Sequence, residues 1–483
     1  MHLRLVSKVL SLLSAIVSLS MLWPLVWSLR DGSSDVRAFL LSIAFGLALA
    51  LVLYAFGKHA DYDDLGIKDG FVAVSLAWVI ASVVGAMPYW LHGTVPTFTD
   101  AFFESVSGFT TTGASVLSDI EANPRGILFW RSLTHWLGGM GIIVLGLAIL
   151  PFLGVGGMEL FKAEVPGPSQ EKMTPRIQRT ALYLWGVYAL MTVAQSALLM
   201  LGGMSLFDAL VHTFGTVATG GFSTLNKSLG QYNSAYFDWV VTVFMFLAGA
   251  NFVLHYQFLR GNRKSFLKNE EFRVYGGIVL FSVVTICADL LFRGVCSSPV
   301  EALRYGAFQV VSVMTTTGYV TADFELWPSY SQMLLFFLMF AGGCAGSTGG
   351  GMKVLRLVVL WRHMRGELQS LLHPQAIVHI KVGGKAVREN IISSVTSFFI
   401  LYLAVFIGGT FIMTMLGLDP VSALSGVAAT LGNVGPALGA LGPLDNYSAV
   451  PQAGKWVFSA LMLMGRLELY TVALLFLPET WRR

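Results

Sequence analysis

Four short stretches of this chain carry the residue types that could hold a bare cation: Thr111-Thr112-Gly113-Ala114, Thr219-Gly220-Gly221-Phe222, Thr316-Thr317-Gly318-Tyr319 and Asn433-Val434-Gly435-Pro436. Each sets backbone oxygens, and in most cases a hydroxyl, beside a glycine. Glycine admits φ > 0 freely, so successive carbonyls can be turned to one side, and threonine adds a hydroxyl acceptor. The central glycines lie 108, 97 and 117 residues apart, far more than a solenoid unit, which leaves each copy room for a complete membrane module. Converging on one axis, four such loops would form a cage of carbonyl oxygens that replaces a cation's hydration shell.

Setting the four glycines in register aligns more than the loops. Twelve residues upstream stand Ala101, Ala209, Gly306 and Ala423, and six upstream stand Ser107, Gly215, Ser312 and Ala429; all eight are small. The segment between is helical in period but only about a dozen residues long, roughly 18 Å, against a hydrocarbon layer of about 30 Å. It is expected to enter the membrane and turn back. Each following span then carries a glycine, Gly139, Gly249, Gly343 or Gly465. The unit reads as span, re-entrant pore helix, filter loop, span. A single Thr-Thr-Gly run is an ordinary surface turn; four in register between a short helix and a full span argue against that. Non-helical backbone at membrane depth survives where it is buried in protein or lines water, and helix carboxyl ends aimed at the axis favour a cation.

The composition demands a membrane. Hydrophobic residues make up 55% and charged residues 12%, with a mean hydropathy of +0.68, whereas soluble chains are about 25% charged. Ten candidate spans fall near 5–29, 36–57, 69–92, 126–153, 180–203, 236–259, 273–293, 328–361, 390–417 and 453–478. The first resembles a signal peptide, but its length and the absence of a clear cleavage site make it a retained span. With the amino terminus inside, the cytoplasmic side holds 22 of the 31 Lys and Arg residues, so the expected topology has both termini cytoplasmic. The basic clusters at 260–273 and 356–365 then serve as topology signals, and no nucleic-acid partner is expected. The expected fold is an all-α integral membrane protein with four pseudo-symmetric pore units behind two leading transmembrane helices. The boundaries are 1–64 for the leading pair and 65–155, 156–262, 263–364 and 365–483 for the units. Segment 361–389 reads as a polar loop containing Gly383-Gly384. Cys287, Cys296 and Cys344 show neither metal spacing nor an even count for disulfides.

Two features below the loops could control passage. Six glycines crowd Gly342 to Gly351, and each weakens a helix by about 1 kcal/mol relative to alanine, so the third unit's second span is expected to break. The broken segment, with Gly342, Gly343, Gly346, Ser347, Thr348, Gly349, Gly350 and Gly351, could block the path; close helix packing through small residues is the alternative. Arg466 lies centrally in a span, aligned with Met140, Ala250 and Cys344. Facing a pore it would repel cations; alternatively it pairs with Glu468 or a buried acid such as Glu104. Glu104, His212 and Gln309 occupy one aligned position, with Gly426 fourth, and are expected to brace the loops by hydrogen bonds. His135, His255 and Asp208 read as structural.

These residues resemble the superfamily of potassium transporters that includes bacterial Trk and Ktr and plant HKT proteins, and within it the Trk-type membrane subunits. The likeness covers essentially the whole chain through Thr-Thr-Thr-Gly-Ala-Ser at 110–115, Trp-Leu-Gly-Gly-Met-Gly-Ile-Ile-Val-Leu at 136–145, Ala-Gly-Gly-Cys-Ala-Gly-Ser-Thr-Gly-Gly-Gly at 341–351 and Gly-Arg-Leu-Glu at 465–468. The resemblance implies a bacterial inner-membrane homodimer with one potassium pathway per subunit and potassium as substrate. It also implies cytoplasmic nucleotide-binding regulatory subunits, with ATP or NAD held only on that partner and no covalent cofactor on this chain. Glycine at all four central positions goes with potassium preference in that superfamily. Because the residue after each glycine differs, selectivity over sodium is expected to be moderate. An intramembrane enzyme would need a polar catalytic cluster, which is missing from this pattern. A proton- or sodium-coupled symporter would need a titratable membrane carboxylate such as Glu104 or Glu468.

Overall fold

Polar caps open the four short helices. In the computed structural model, which describes residues 2–60, 67–139, 141, 177–374, 380–467 and 469–478, these helices are Phe98–Phe109, Leu206–Val217, Pro299–Met314 and Pro420–Leu431. Thr97, Ser205 and Ser298 each accept a hydrogen bond from the amide three residues on, at Asp100, Asp208 and Glu301, and Asp419 accepts from Val421 and Ser422. Each cap satisfies a helix-start N–H that has no intrahelical partner, and the first-turn acids of three helices complement the dipole. Beyond the first turn these helices are buried almost all round, the pattern of a core element.

Long apolar helices surround them. Among the described residues, six are long and apolar enough to cross a bilayer: Leu3–Asp31, Val36–Gly57, Lys68–His92, Ala181–Leu201, Glu270–Phe292 and Glu389–Met415. Two further pairs qualify only if bent: Ala235–Ala248 turns by 100° into Phe252–Leu259, and Gln452–Arg466 turns by 119° into Leu469–Phe476. The ten expected spans therefore do not all appear as single helices. Segment 126–153 leaves the described residues after Gly139 and Gly141, and 328–361 is divided into Ser329–Leu338 and Val354–Leu372. Leu51, Val52, Ile400 and Phe411 are exposed on their helices, as expected of surfaces solvated by lipid chains.

The leading helix shows how small residues set contacts. It is interrupted at Met21, because Pro24 lacks an N–H and its ring crowds the carbonyl four residues back. Along its first part, Ser7, Ser11 and Ser14 donate to the carbonyls of Leu53, Ala50 and Gly46, each at 2.8 Å. This small-residue seam lets Leu3–Ser20 lie close against Val36–Gly57.

Segment 361–389 departs from the expected loop. Its first part continues the helix to Leu372, and Lys381–Val382 pairs antiparallel with Lys385–Ala386 across Gly383 and Gly384. Both glycines have φ > 0, at 57° and 78°, the conformation such a tight hairpin requires. Apart from this small hairpin and an isolated bridge between Ala341 and Met352, the described secondary structure is helical.

Candidate functional site

Each short helix ends in the same backbone figure. The amide two before the central glycine (Thr111, Thr219, Thr316, Asn433) bonds the carbonyl three residues back. The next amide (Thr112, Gly220, Thr317, Val434) bonds the carbonyl five residues back, at Ser107, Gly215, Ser312 and Ala429. The residue at the first position is left-handed in all four, with φ of 53°, 57°, 58° and 56°, and the central glycines follow with 80°, 80°, 79° and 97°. A β-branched threonine is an outlier there, and such strain persists only when its surroundings over-determine it.

The four loops close on one another in chain order. A methyl group added at Gly113 would overlap the Gly220 carbonyl oxygen, at Gly221 that of Thr317, at Gly318 that of Val434, and at Gly435 that of Thr112. The fourth loop thus returns to the first. Asn433 adds a side-chain bond to this closure, its Nδ2 donating to Thr112 Oγ1 at 3.0 Å and to the Met462 carbonyl at 2.9 Å. Beyond the glycines the four loops diverge. Tyr319 Oη donates to the carbonyls of His212 and Phe222, while Tyr447 Oη donates to that of Gly435. The residues Thr111, Thr112, Gly113, Thr219, Gly220, Gly221, Thr316, Thr317, Gly318, Asn433, Val434 and Gly435 are therefore brought together. Thr111, Thr112, Thr219, Thr316, Thr317, Asn433 and Val434 are fully buried.

Behind the loops lies polar bracing. Glu104 accepts from the Ser115 hydroxyl and the Val116 amide; His212 Nε2 is 3.0 Å from Ser223 Oγ; Gln309 reaches Thr321 and Ala322. All three side chains therefore hold the strand leaving their own loop, as the aligned position suggested. Sequence reasoning missed Arg131, which is 1% exposed and bonds Glu104, itself 0% exposed, at 2.7 Å. The same guanidinium donates to Ser115 Oγ and to the Ser223 carbonyl, and lies 4.1 Å over the Phe222 ring, so it ties the first loop to the second. His135 joins it: Nδ1 meets the Gly108 carbonyl at 2.7 Å, and Nε2 accepts the Phe222 amide, which fits the neutral ring. The one sequence signal for Arg131 is its place within an apolar run. His255 bonds the Leu247 carbonyl, and Asp208 bonds Ser205 and Thr224, both structural. Among the described residues no His, Cys, Asp or Glu group has metal-site form.

Beneath the loops, residues 339–353 leave the helix. The feet of this segment are joined by bonds from Gly342 N to Met352 O, Met352 N to Phe340 O and Val354 N to Gly343 O. Its crest carries Ser347 and Thr348. Thr348 Oγ1 donates to the carbonyls of Val217 and Ala248, and the Gly350 amide donates to Thr316 Oγ1 at 2.7 Å. Gly350 also packs on Asn433, where an added Cβ would come within 2.7 Å of its Cβ, and Gly343 packs on the Gly249 carbonyl. Gly346, Gly349 and Gly351 complete the crossing. Arg466 reaches the same crest: Nη1 donates to the Thr348 carbonyl at 2.7 Å, and Nη2 donates to those of Gly138 and Gly139 at 2.7 and 2.9 Å. Glu104 is thus not the partner of Arg466, because Arg131 already holds it; Glu468 and Met140 lie outside the described residues. The three acceptors at Thr348, Gly138 and Gly139 are carbonyl oxygens, and the planar fork of the guanidinium reaches them from two nitrogens at once.

The pattern of the TrkH family, described as cation transport protein, matches residues 36–482. The Trk system potassium uptake protein TrkH of Escherichia coli (strain K12) is 42% identical over 489 residues, covering 100% of both chains. The protein of the same name from Vibrio parahaemolyticus serotype O3:K6 is 40% identical over 489 residues, again with 100% of each covered. The crystal structure of the potassium transporter TrkH from Vibrio parahaemolyticus matches with a TM-score of 0.89 at 38% identity, covering 100% of each chain. By the extent of these matches, the chain belongs to the TrkH family of cation transport proteins.

Proposed function

We propose that this chain carries potassium across the bacterial inner membrane, with the ion as substrate and the carbonyl oxygens of the four glycine loops replacing its water. The observation that carries the reading is the cyclic closure of those loops, each central glycine packed on the next loop's carbonyl and the fourth on the first. Relatives named potassium uptake proteins along their full length support it. The chain then divides as two leading helices, 1–64, and four pseudo-symmetric units, 65–155, 156–262, 263–364 and 365–483, with both termini in the cytoplasm. The segment Gly342 to Gly351 and Arg466 form the gate: they occupy the space under the loops and fasten all four units together. A homodimer is the working assembly. Cytoplasmic regulatory subunits, which alone hold a nucleotide such as ATP or NAD, act on the gate from below.

The ion moves down its electrochemical gradient in this reading. Of the two carboxylates that a coupled symporter could use, Glu104 is held by Arg131, Ser115 and the Val116 amide, and Glu468 lies outside the described residues. Purified protein in liposomes tests the reading: rubidium uptake should follow an imposed potassium gradient and be unchanged when proton and sodium gradients are collapsed. Uptake that requires either gradient would replace the channel-like reading with symport.

A further inference from the structure

At the start of the helix Glu270–Phe292 stand two adjacent glutamates whose roles diverge. By sequence they are ordinary first-turn acids behind the Asn269 cap, placed to complement a helix dipole. Their side chains instead reach away from their own helix. Glu271, 6% exposed, accepts with one oxygen, Oε1, from the Ala345 amide at 2.7 Å and from the Leu355 amide at 3.1 Å. Ala345 lies on the limb of the intramembrane segment that rises toward the loops. Leu355 lies in the first turn of Val354–Leu372, whose N-cap, Lys353, supplies no side-chain cap. Its amide is among those a helix start leaves without an intrahelical acceptor. A carboxylate from another helix thus caps this one and, with the same atom, crosslinks the two limbs of the segment. Glu270 points elsewhere: it pairs with Arg362, farther along Val354–Leu372, and accepts the Gly383 amide at the tip of the cytoplasmic hairpin.

We infer that the Glu270-Glu271 dipeptide is a mechanical joint between the cytoplasmic hairpin and the intramembrane segment. Glu271 clamps the segment's two limbs, and Glu270 fixes the hairpin and the outgoing helix to the same helix start. Both are positioning residues. The segment cannot withdraw while Ala345 and Leu355 share one oxygen, and a cytoplasmic partner that displaces the hairpin pulls on the residue next to that clamp. The inference rests on the reading of the segment as a gate, but its test does not.

Hydrogen–deuterium exchange on the full-length protein in lipid reads the clamp, and rubidium uptake by the same preparations reads the gate. Glu271→Ala should raise exchange across 341–355 about ten- to hundredfold, the range for losing charge-assisted bonds, while exchange in Phe98–Phe109 stays at the wild-type rate. Glu271→Gln keeps an acceptor without the charge; it should give a smaller rise and carries the test if the alanine variant does not fold. Glu270→Ala should raise exchange at 341–355 severalfold in the wild-type background and leave it unchanged in Glu271→Ala, since coupled residues are non-additive. Unchanged exchange at 341–355 in both Glu271 variants overturns the clamp, whatever the flux. Equal effects of Glu270→Ala in both backgrounds overturn the joint. Raised exchange with unchanged flux upholds the clamp and rejects the gate reading instead.

Discussion

Gly318→Ala is expected to lower rubidium uptake about a hundredfold while the protein still folds. Its new methyl group would fall on the Val434 carbonyl oxygen and within 2.8 Å of Pro436 Cδ, at a residue with φ of 79°. Left-handed backbone costs a non-glycine residue roughly 1–2 kcal/mol, and forcing an extra methyl into a packed site about 1–3 kcal/mol. Relief requires the third and fourth loops to part, which removes carbonyls from the ring. A loss of about 2.7 kcal/mol in barrier terms corresponds to a hundredfold in rate. Gly93 supplies the control. It has nearly the same dihedral, 78°, but nothing within 4 Å of an added Cβ, so Gly93→Ala carries the backbone strain without the contact. Uptake by Gly93→Ala should stay near wild type. If the two variants lose uptake equally, strain alone is responsible and the ring has no role.

Arg466→Ala should act in the opposite direction and raise rubidium uptake at least about tenfold. The side chain makes three bonds to carbonyls of Thr348, Gly138 and Gly139, and each bond from a charged donor contributes about 1.5–3 kcal/mol net. On the gate reading, removing it also deletes a positive charge from beside the path, where a second cation is repelled most strongly in a low-dielectric setting. Two further replacements separate these effects. Arg466→Lys keeps the charge but loses the fork, so the crest is released while the repulsion remains, and the increase should be smaller. Arg466→Gln keeps donors without charge and should lie between alanine and wild type. Uptake at or below wild type in folded Arg466→Ala contradicts the gate role.

The four loops could be found in the sequence because backbone geometry limits the residue types they tolerate. The carbonyl that accepts the second closing bond comes from Ser107, Gly215, Ser312 or Ala429, and the small side chains at these four sites give the register away. The break in 328–361 was equally visible, since six glycines in ten residues outweigh any helical preference. The bends were less legible: the 100° turn after Ala248 and the 119° turn after Arg466 are each preceded or followed by one glycine, Gly249 or Gly465, too few to announce a break. Thr111, Thr219 and Thr316 carry nothing in their residue type that announces a left-handed backbone. The caps Thr97, Ser205 and Ser298, each three residues before an acid, were a legible repeat that the glycine register overshadowed. The bracing was hidden for a different reason. Arg131 and Glu104 lie 27 residues apart on different helices, as do Lys455 and Asp100, 355 apart, and Arg304 and Asp238, 66 apart. A basic residue near an outer loop looks the same in sequence whether it meets water or a buried acid.

In the proposed function, peptide oxygens from four unlike loops surround one dehydrated cation. Anomalous diffraction from crystals of this protein grown with rubidium tests it most directly. A peak is expected on the axis enclosed by Thr112, Gly220, Thr317 and Val434, within ligand distance of oxygens from all four loops. A peak displaced to one loop, or rubidium bound only elsewhere in the membrane region, would contradict it.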